Sequence, residues 1–233
     1  MIISCMFGGL SLLFSVLFCI FRTSKANVYS LCLKTIASVC FVLCGVFAIS
    51  YAGQNSVNLM IIAGLMLGLI GDILLDLKIM YPEQSNQYFL AGTTAFAVGH
   101  FFYFLSALSY NMATIATNLL WNILASVGIA VILTIAIILH SRKMGLNFGK
   151  MLYVVIAYSL ILVFMTAFSI SIAIFNPIYW IFASGMVLFL ASDLILSMQY
   201  FGNATSKLYV YANHILYYLA QICLAISILF VVV

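Results

Sequence analysis

Gly64-Leu65-Met66-Leu67-Gly68-Leu69-Ile70-Gly71-Asp72-Ile73-Leu74-Leu75-Asp76 is an apolar run interrupted by glycines and closed by two acids. Read as a helix, it places Gly64, Gly68, Asp72 and Asp76 at i, i+4 spacing on one face. Glycines on that face let a neighbouring helix approach closely, so Asp72 is expected to face protein rather than lipid. A carboxylate at bilayer depth costs about 2.5–3.5 kcal/mol, which makes it a candidate functional group. The pattern returns at Gly185-Met186-Val187-Leu188-Phe189-Leu190-Ala191-Ser192-Asp193, with the acid again eight residues after the glycine. Asp72 and Asp193 are therefore expected to meet inside a helical bundle and form one site.

Composition supports a bundle in a bilayer. Of 233 residues, 67% are hydrophobic and only 5% are charged. So few charges cannot clothe a water-soluble surface. Backbone that crosses lipid must satisfy its own hydrogen bonds, and apolar runs this long favour helices over barrel strands. The expected fold class is all-α: a polytopic membrane protein with an eight-transmembrane-helix bundle. The spans are read at roughly 2–21, 29–51, 57–77, 88–110, 115–139, 149–173, 178–200 and 208–233. Gly53-Gln54-Asn55, Pro82-Glu83, Asn147, Asn176-Pro177 and Gly202-Asn203 mark breaks between them. No loop is long enough to be a domain, so residues 1–233 are expected to form a single membrane domain. The first apolar run has no basic segment before it and no clear cleavage site after it, and it reads as a retained span. The net charge of +4 resides in loops and makes no case for nucleic acid. Cys5, Cys19, Cys32, Cys40, Cys44 and Cys223 lie in apolar runs without ligand-type spacing and read as small hydrophobes.

Charge placement orients the bundle. Arg22, Lys25, Lys34, Lys78, Arg142, Lys143, Lys150 and Lys207 all lie in or beside the odd-numbered loops. The positive-inside rule then puts those loops in the cytoplasm and both termini outside. The short loops suggest a bacterial inner membrane. In this orientation Asp72, Asp76, Asp193, Lys34, His100, His214 and Gln221 fall between the cytoplasmic face and mid-membrane, where one cavity opening inward would contain them.

A shift of 121 residues lays spans 3–4 on spans 7–8 without a gap. Gly64 meets Gly185, Asp72 meets Asp193, Tyr88 meets Tyr209, His100 meets Gln221, and about ten of 45 positions are identical. Four intervening spans preserve direction, so this internal repeat is parallel. Spans 1–2 and 5–6 show no comparable match. On span 4, Thr93, Phe96, His100 and Tyr103 share a face; on span 8, His214, Tyr217 or Tyr218, and Gln221 form a similar stripe. Asp76, His214 and His140 read as solvated groups, and Lys34 as either a snorkelling lysine or a site residue. Asp72, Asp193, His100 and His214 lack tight ligand spacing, so neither metal nor other cofactor is expected.

At these residues the chain resembles the lysoplasmalogenases, or YhhN-like integral membrane proteins, from about Lys34 to Gln221. The matching pieces are Gly71-Asp72 with its leucines, Phe96-Ala97-Val98-Gly99-His100-Phe101-Phe102-Tyr103, Phe189-Leu190-Ala191-Ser192-Asp193, and Tyr217-Tyr218-Leu219-Ala220-Gln221. The family tends to have Lys-Pro in span 2, whereas Lys34 is followed by Thr35. The resemblance implies hydrolysis of the vinyl ether of a lysoplasmalogen to a fatty aldehyde and glycerophosphocholine or glycerophosphoethanolamine. The partners implied are the lysophospholipid and membrane lipid. Acid cleavage of a vinyl ether needs a protonated carboxylic acid and a second carboxylate, which Asp72 and Asp193 would supply. His100, Gln221, Ser192 and Lys34 would orient water or the carboxylates, and Tyr103 and Tyr217 would hold the head-group side. A small proton-coupled transporter and a non-catalytic lipid-binding protein are the alternatives, since membrane acids and parallel repeats also serve transport.

Overall fold

The structure, a computed structural model of the chain, describes residues 1–22, 28–114, 119–202 and 206–231. Lys25 and Asn203, used above for orientation and as a turn, lie outside the described residues. So do positions 115–118 of the fifth expected span and 232–233 of the eighth.

The described residues form helices α1 (Ile2–Phe21), α2 (Val28–Ala52), α3 (Ser56–Met80), α4 (Ser85–Thr114), α5 (Leu119–Lys143), α6 (Leu152–Phe175), α7 (Trp180–Phe201) and α8 (Lys207–Ser227). All eight are long and apolar enough to cross a membrane, and the chain is a multi-pass integral membrane protein. Short 3₁₀ turns with Pro82 and Pro177 at their first positions lead into α4 and α7, where a missing N–H costs nothing. Asn55 caps α3 by accepting the Asn58 N–H at 2.8 Å. The helices overrun the apolar runs at some ends. Helix α5 continues through His140, Arg142 and Lys143, because cations suit a helix C-terminus even where hydropathy has fallen.

The packing repeats after 121 residues, and over more of the chain than the sequence match covers. Helix α3 with α4 corresponds to α7 with α8, α1 with α2 to α5 with α6, and α2 against α8 to α6 against α4. Close glycine contacts hold the two best-matched pairs. A Cβ at Gly99 would stand 3.2 Å from the Gly64 carbonyl oxygen, and one at Gly92 3.4 Å from that of Gly71. In the second half, a Cβ at Gly185 would stand 3.1 Å from the Ala220 carbonyl oxygen. Gly185 and Ala220 are the 121-residue counterparts of Gly64 and Gly99, so one backbone seam occurs twice. The correspondence is incomplete among the described residues: α3 touches α8 without a comparable α7–α4 contact, and a second gap involves α5. Helix α1 packs on α8, but α5 packs chiefly on α6 and makes no similar contact with α4. Leu120, Trp121, Leu124, Ile132 and Ile135 of α5 are correspondingly exposed, as a lipid-facing surface requires.

The apolar core runs through α2, α3, α4, α6, α7 and α8 around Phe41, Phe168, Phe182 and Phe189. It stops short of one end of the bundle, where a cavity opens.

Candidate functional site

Helices α2–α8, and Arg22 just after α1, contribute to this cavity from the end nearest an odd-numbered loop. Arg22 follows α1, Lys34 lies near the start of α2, and Asp72 and Asp193 lie toward the ends of α3 and α7. The cavity contains about 1170 Å³ of empty space, counting the part open to solvent. Asp72 and Asp193 stand on separate helices and line this one cavity.

Two different environments surround the two acids. Asp72 is 3% exposed. Its Oδ2 accepts hydrogen bonds from the Ser38 hydroxyl at 2.6 Å and the Tyr217 hydroxyl at 2.9 Å. Its Oδ1 is 3.5 Å from Lys34 Nζ. Asp193 Oδ2 accepts from the Tyr158 hydroxyl at 2.6 Å, and its Oδ1 lies a long 3.5 Å from Ser192 Oγ. Asp193 forms no ion pair among the described residues. A hydroxyl from the preceding helix pair therefore serves each acid: Ser38 of α2 serves Asp72, and Tyr158 of α6 serves Asp193. Ser159, next to Tyr158, is the 121-residue counterpart of Ser38 and also lines the cavity.

Asp76 departs from the expectation of a solvated carboxylate. It is 1% exposed, and its Oδ1 meets Lys34 Nζ at 3.1 Å and Arg22 Nη1 at 3.2 Å. The reason is steric: α1 and α2 bring their cations onto the α3 face one turn beyond Asp72. Lys34 is buried in these ion pairs rather than snorkelling. His214 is buried as well; its Nδ1 is 2.8 Å from the Val210 carbonyl oxygen and its ring packs 4.7 Å from Phe18. His140 is exposed, as expected, although it lies in the last turn of α5 rather than in a loop.

The other candidates fall into two groups. Tyr217 and Lys34 line the cavity with the acids. His100, Tyr103, Gln221 and Ser192 are buried behind its wall. Tyr103 donates to Gln221 Oε1 at 3.3 Å, Gln221 Nε2 donates to the Tyr217 hydroxyl at 2.9 Å, and Tyr217 donates to Asp72. Three candidates thus form a hydrogen-bonded chain ending on an acid. Ser192 donates to the Phe189 carbonyl oxygen at 2.8 Å. His100 packs 4.7 Å from the Phe189 ring and near Tyr103 and Tyr158. The glycine face of α3 makes room for these groups. A Cβ at Gly68 would come within 2.8 Å of Gln221 Nε2, and one at Gly71 within 2.6 Å of the Phe96 ring.

Ser38 and Tyr158 carry no mark in the sequence reading, and Tyr218 enters it only as an alternative to Tyr217 on span 8. Tyr218 donates to the Lys34 carbonyl oxygen at 3.1 Å and so secures the backbone that carries both Lys34 and Ser38. The available signal was the 121-residue shift, which pairs Ser38 with Ser159 on spans that otherwise look unrelated. Among the described residues, no group of three His, Cys, Asp or Glu side chains is placed to hold a metal ion.

No curated protein and no solved structure matches the chain. The YhhN family model matches residues 5–228, nearly the whole length, and the chain belongs to the YhhN family, which includes the lysoplasmalogenases.

Proposed function

We propose that this protein is a membrane hydrolase that cleaves the vinyl ether bond of a lysoplasmalogen with Asp72 and Asp193. The observation that carries the reading is the pair of acids on separate helices of one cavity, one acid beside a cation and the other without. Asp193 donates its proton to the outer alkene carbon, the carbon farther from the ether oxygen. The alkene electrons form the new C–H bond, and the inner carbon becomes part of an oxocarbenium ion. Asp72, ion-paired and already accepting two hydroxyls, is suited to remain a carboxylate; it stabilises that cation and takes a proton from the attacking water. As the hemiacetal collapses, Asp193 takes the proton of its hydroxyl and Asp72 passes the proton it took from water to the glycerol oxygen; the C–O bond to glycerol breaks, and a fatty aldehyde and the glycerophospho-alcohol leave with both acids restored. The net reaction consumes one water. General acid–base help of this kind contributes about 10²–10⁴-fold.

The family membership supports a lysoplasmalogenase-like activity, and the charge bias of the odd-numbered loops supports a cytoplasm-facing cavity with both termini outside. A bacterial inner membrane fits the short loops. The test is aldehyde release from defined lysoplasmalogen by purified protein. Asp72→Asn and Asp193→Asn are each expected to lower the rate by about 100-fold or more. Full activity in both variants, or uptake of the lipid into liposomes without hydrolysis, overturns the mechanism.

A further inference from the structure

The two halves of the fold share a backbone plan, but their equivalent positions line the cavity with different chemistry. Lys34 on α2 has Val155 on α6 as its 121-residue counterpart, Tyr217 on α8 has Phe96 on α4, and His214 has Thr93. All six residues line the same cavity. Equivalent positions therefore present an ammonium on one side and an isopropyl group on the other.

The asymmetry extends to whole helix groups. Helices α1, α2 and α8 pack on one another and contribute Arg22, Lys34, Asn213, His214 and Tyr217. Helices α5, α6 and α7 form the other group and contribute Ile137, Ile138, Val155, Leu162, Leu190 and Leu194. That second group also carries Asp193, several hydroxyls and Gln199, but no cation on it lines the cavity. Arg22 and Lys34 are held from behind: Asp76 binds both through Oδ1 and does not itself line the cavity. Arg22 uses only Nη1 in that contact. A guanidinium has five donors in a fixed fork, so the remaining N–H groups suit a phosphate oxygen.

We propose that the cavity binds a single-chain phospholipid in one direction only. Its phosphate-bearing head lies against Arg22, Lys34 and Asn213, and its hydrocarbon chain lies along Val155, Leu162, Leu190 and Leu194. This deepens the hydrolase reading and rests on it for the fate of the lipid, but not for its direction. The junction of head and chain then falls between Asp72, which shares Lys34 with the polar side, and Asp193, which belongs to α7. That junction is where the ether bond of such a lipid lies. Val155 and Leu194 become the residues that select chain length, and Arg22 the residue that selects a phosphate head.

The test uses the full-length protein in detergent and competition binding of saturated alkyl-ether probes, which cannot be cleaved as vinyl ethers. One series is alkylglycerophosphocholine of graded chain length; the other is alkylglycerol, which lacks the phosphate. Val155→Phe and Leu194→Phe are expected to move the preferred chain to shorter lengths and weaken the longest probe about tenfold or more. Val155→Ala and Leu194→Ala, which leave more room and do not strain the fold, are expected to move it to longer lengths. Arg22→Gln is expected to weaken the phosphocholine probes about tenfold or more while leaving alkylglycerol binding within about twofold. Equal loss across all lengths in the Phe variants, with no shift in the Ala variants, overturns the direction. So does equal weakening of both probe series by Arg22→Gln. Aldehyde assays separate the two claims: directional binding without aldehyde release removes the hydrolase reading alone, and aldehyde release with unmoved chain and head profiles removes the direction alone.

Discussion

Replacing Lys34 with methionine tests the electrostatic arrangement on which the roles of the two acids depend. Methionine keeps the length of the side chain and removes its charge. Lys34 is 5% exposed, and its Nζ stands 3.1 Å from Asp76 and 3.5 Å from Asp72. At an effective dielectric of about 20, each contact is worth about 5 kcal/mol before desolvation is counted. Desolvation of three buried charges offsets most of that gain. Loss of one partner from a buried pair nevertheless costs about 3–5 kcal/mol, because the remaining charge stays uncompensated. Arg22 still reaches Asp76 at 3.2 Å from a side chain that is 15% exposed, which places Lys34→Met near the lower limit, about 3 kcal/mol. Equilibrium unfolding of the detergent-solubilised protein measures this. Adding Asp72→Asn to Lys34→Met removes the carboxylate left without a cation and is expected to recover about half of the loss. Aldehyde release is expected to stay low in the double variant, since the Asp72 carboxylate is gone. A Lys34→Met variant within about 1 kcal/mol of the parent, the size of an ordinary substitution, refutes the argument. A loss that grows when Asp72→Asn is added refutes it too.

Further outcomes are expected at the glycine seams and the hydrogen-bonded chain. A Cβ at Gly64 would clash with the ring edge of Tyr103, which is itself 1% exposed; Gly64→Ala should cost about 1–3 kcal/mol by overpacking. Gly9→Ala on α1, where nothing lies within 4 Å of the new methyl, should be neutral, and the two are compared in the same unfolding assay. Gln221→Leu breaks the link between Tyr103 and Tyr217 and leaves the cavity lining intact, so it should lower kcat with little change in KM. Tyr158→Phe removes the one hydroxyl that Asp193 Oδ2 accepts and should lower kcat by about tenfold. A cysteine placed at Lys143 should react with a membrane-impermeant thiol reagent only when the cytoplasmic side is exposed; reaction from the outside reverses the orientation.

Much of this architecture can be read from the chain before any coordinates. Hydropathy alone delimits the spans, because each exceeds the thickness of a bilayer and ends at turn residues. Asp72 and Asp193 stand out because a carboxylate is rare at that depth and because both follow a glycine by the same interval. Asp76 was harder. Its distance from the end of α3 suggests water, and only the three-dimensional approach of Arg22 and Lys34 shows why it is dry. Ser38 and Tyr158 carry no sequence signal strong enough to notice, since single hydroxyls are common in membrane helices and cap their own backbone. The face shared by Thr93, Phe96, His100 and Tyr103 is correct as a face. Its first two members line the cavity and the last two are sealed behind the wall, because helix periodicity specifies direction and not how deep an opening runs.

The doubled glycine seam also bears on motion. With backbone close to backbone at Gly64 and Gly99, and again at Gly185 and Ala220, the α3–α4 and α7–α8 hairpins are packed too closely to part easily and move as two stiff rods. A lipid tail that enters must part the molecule elsewhere. The slack lies along α5, which packs chiefly on α6 and has little contact with α4. Each acid is fixed to its own rod, so widening the gap beside α5 changes access to the carboxylates without altering the depth at which either one is held.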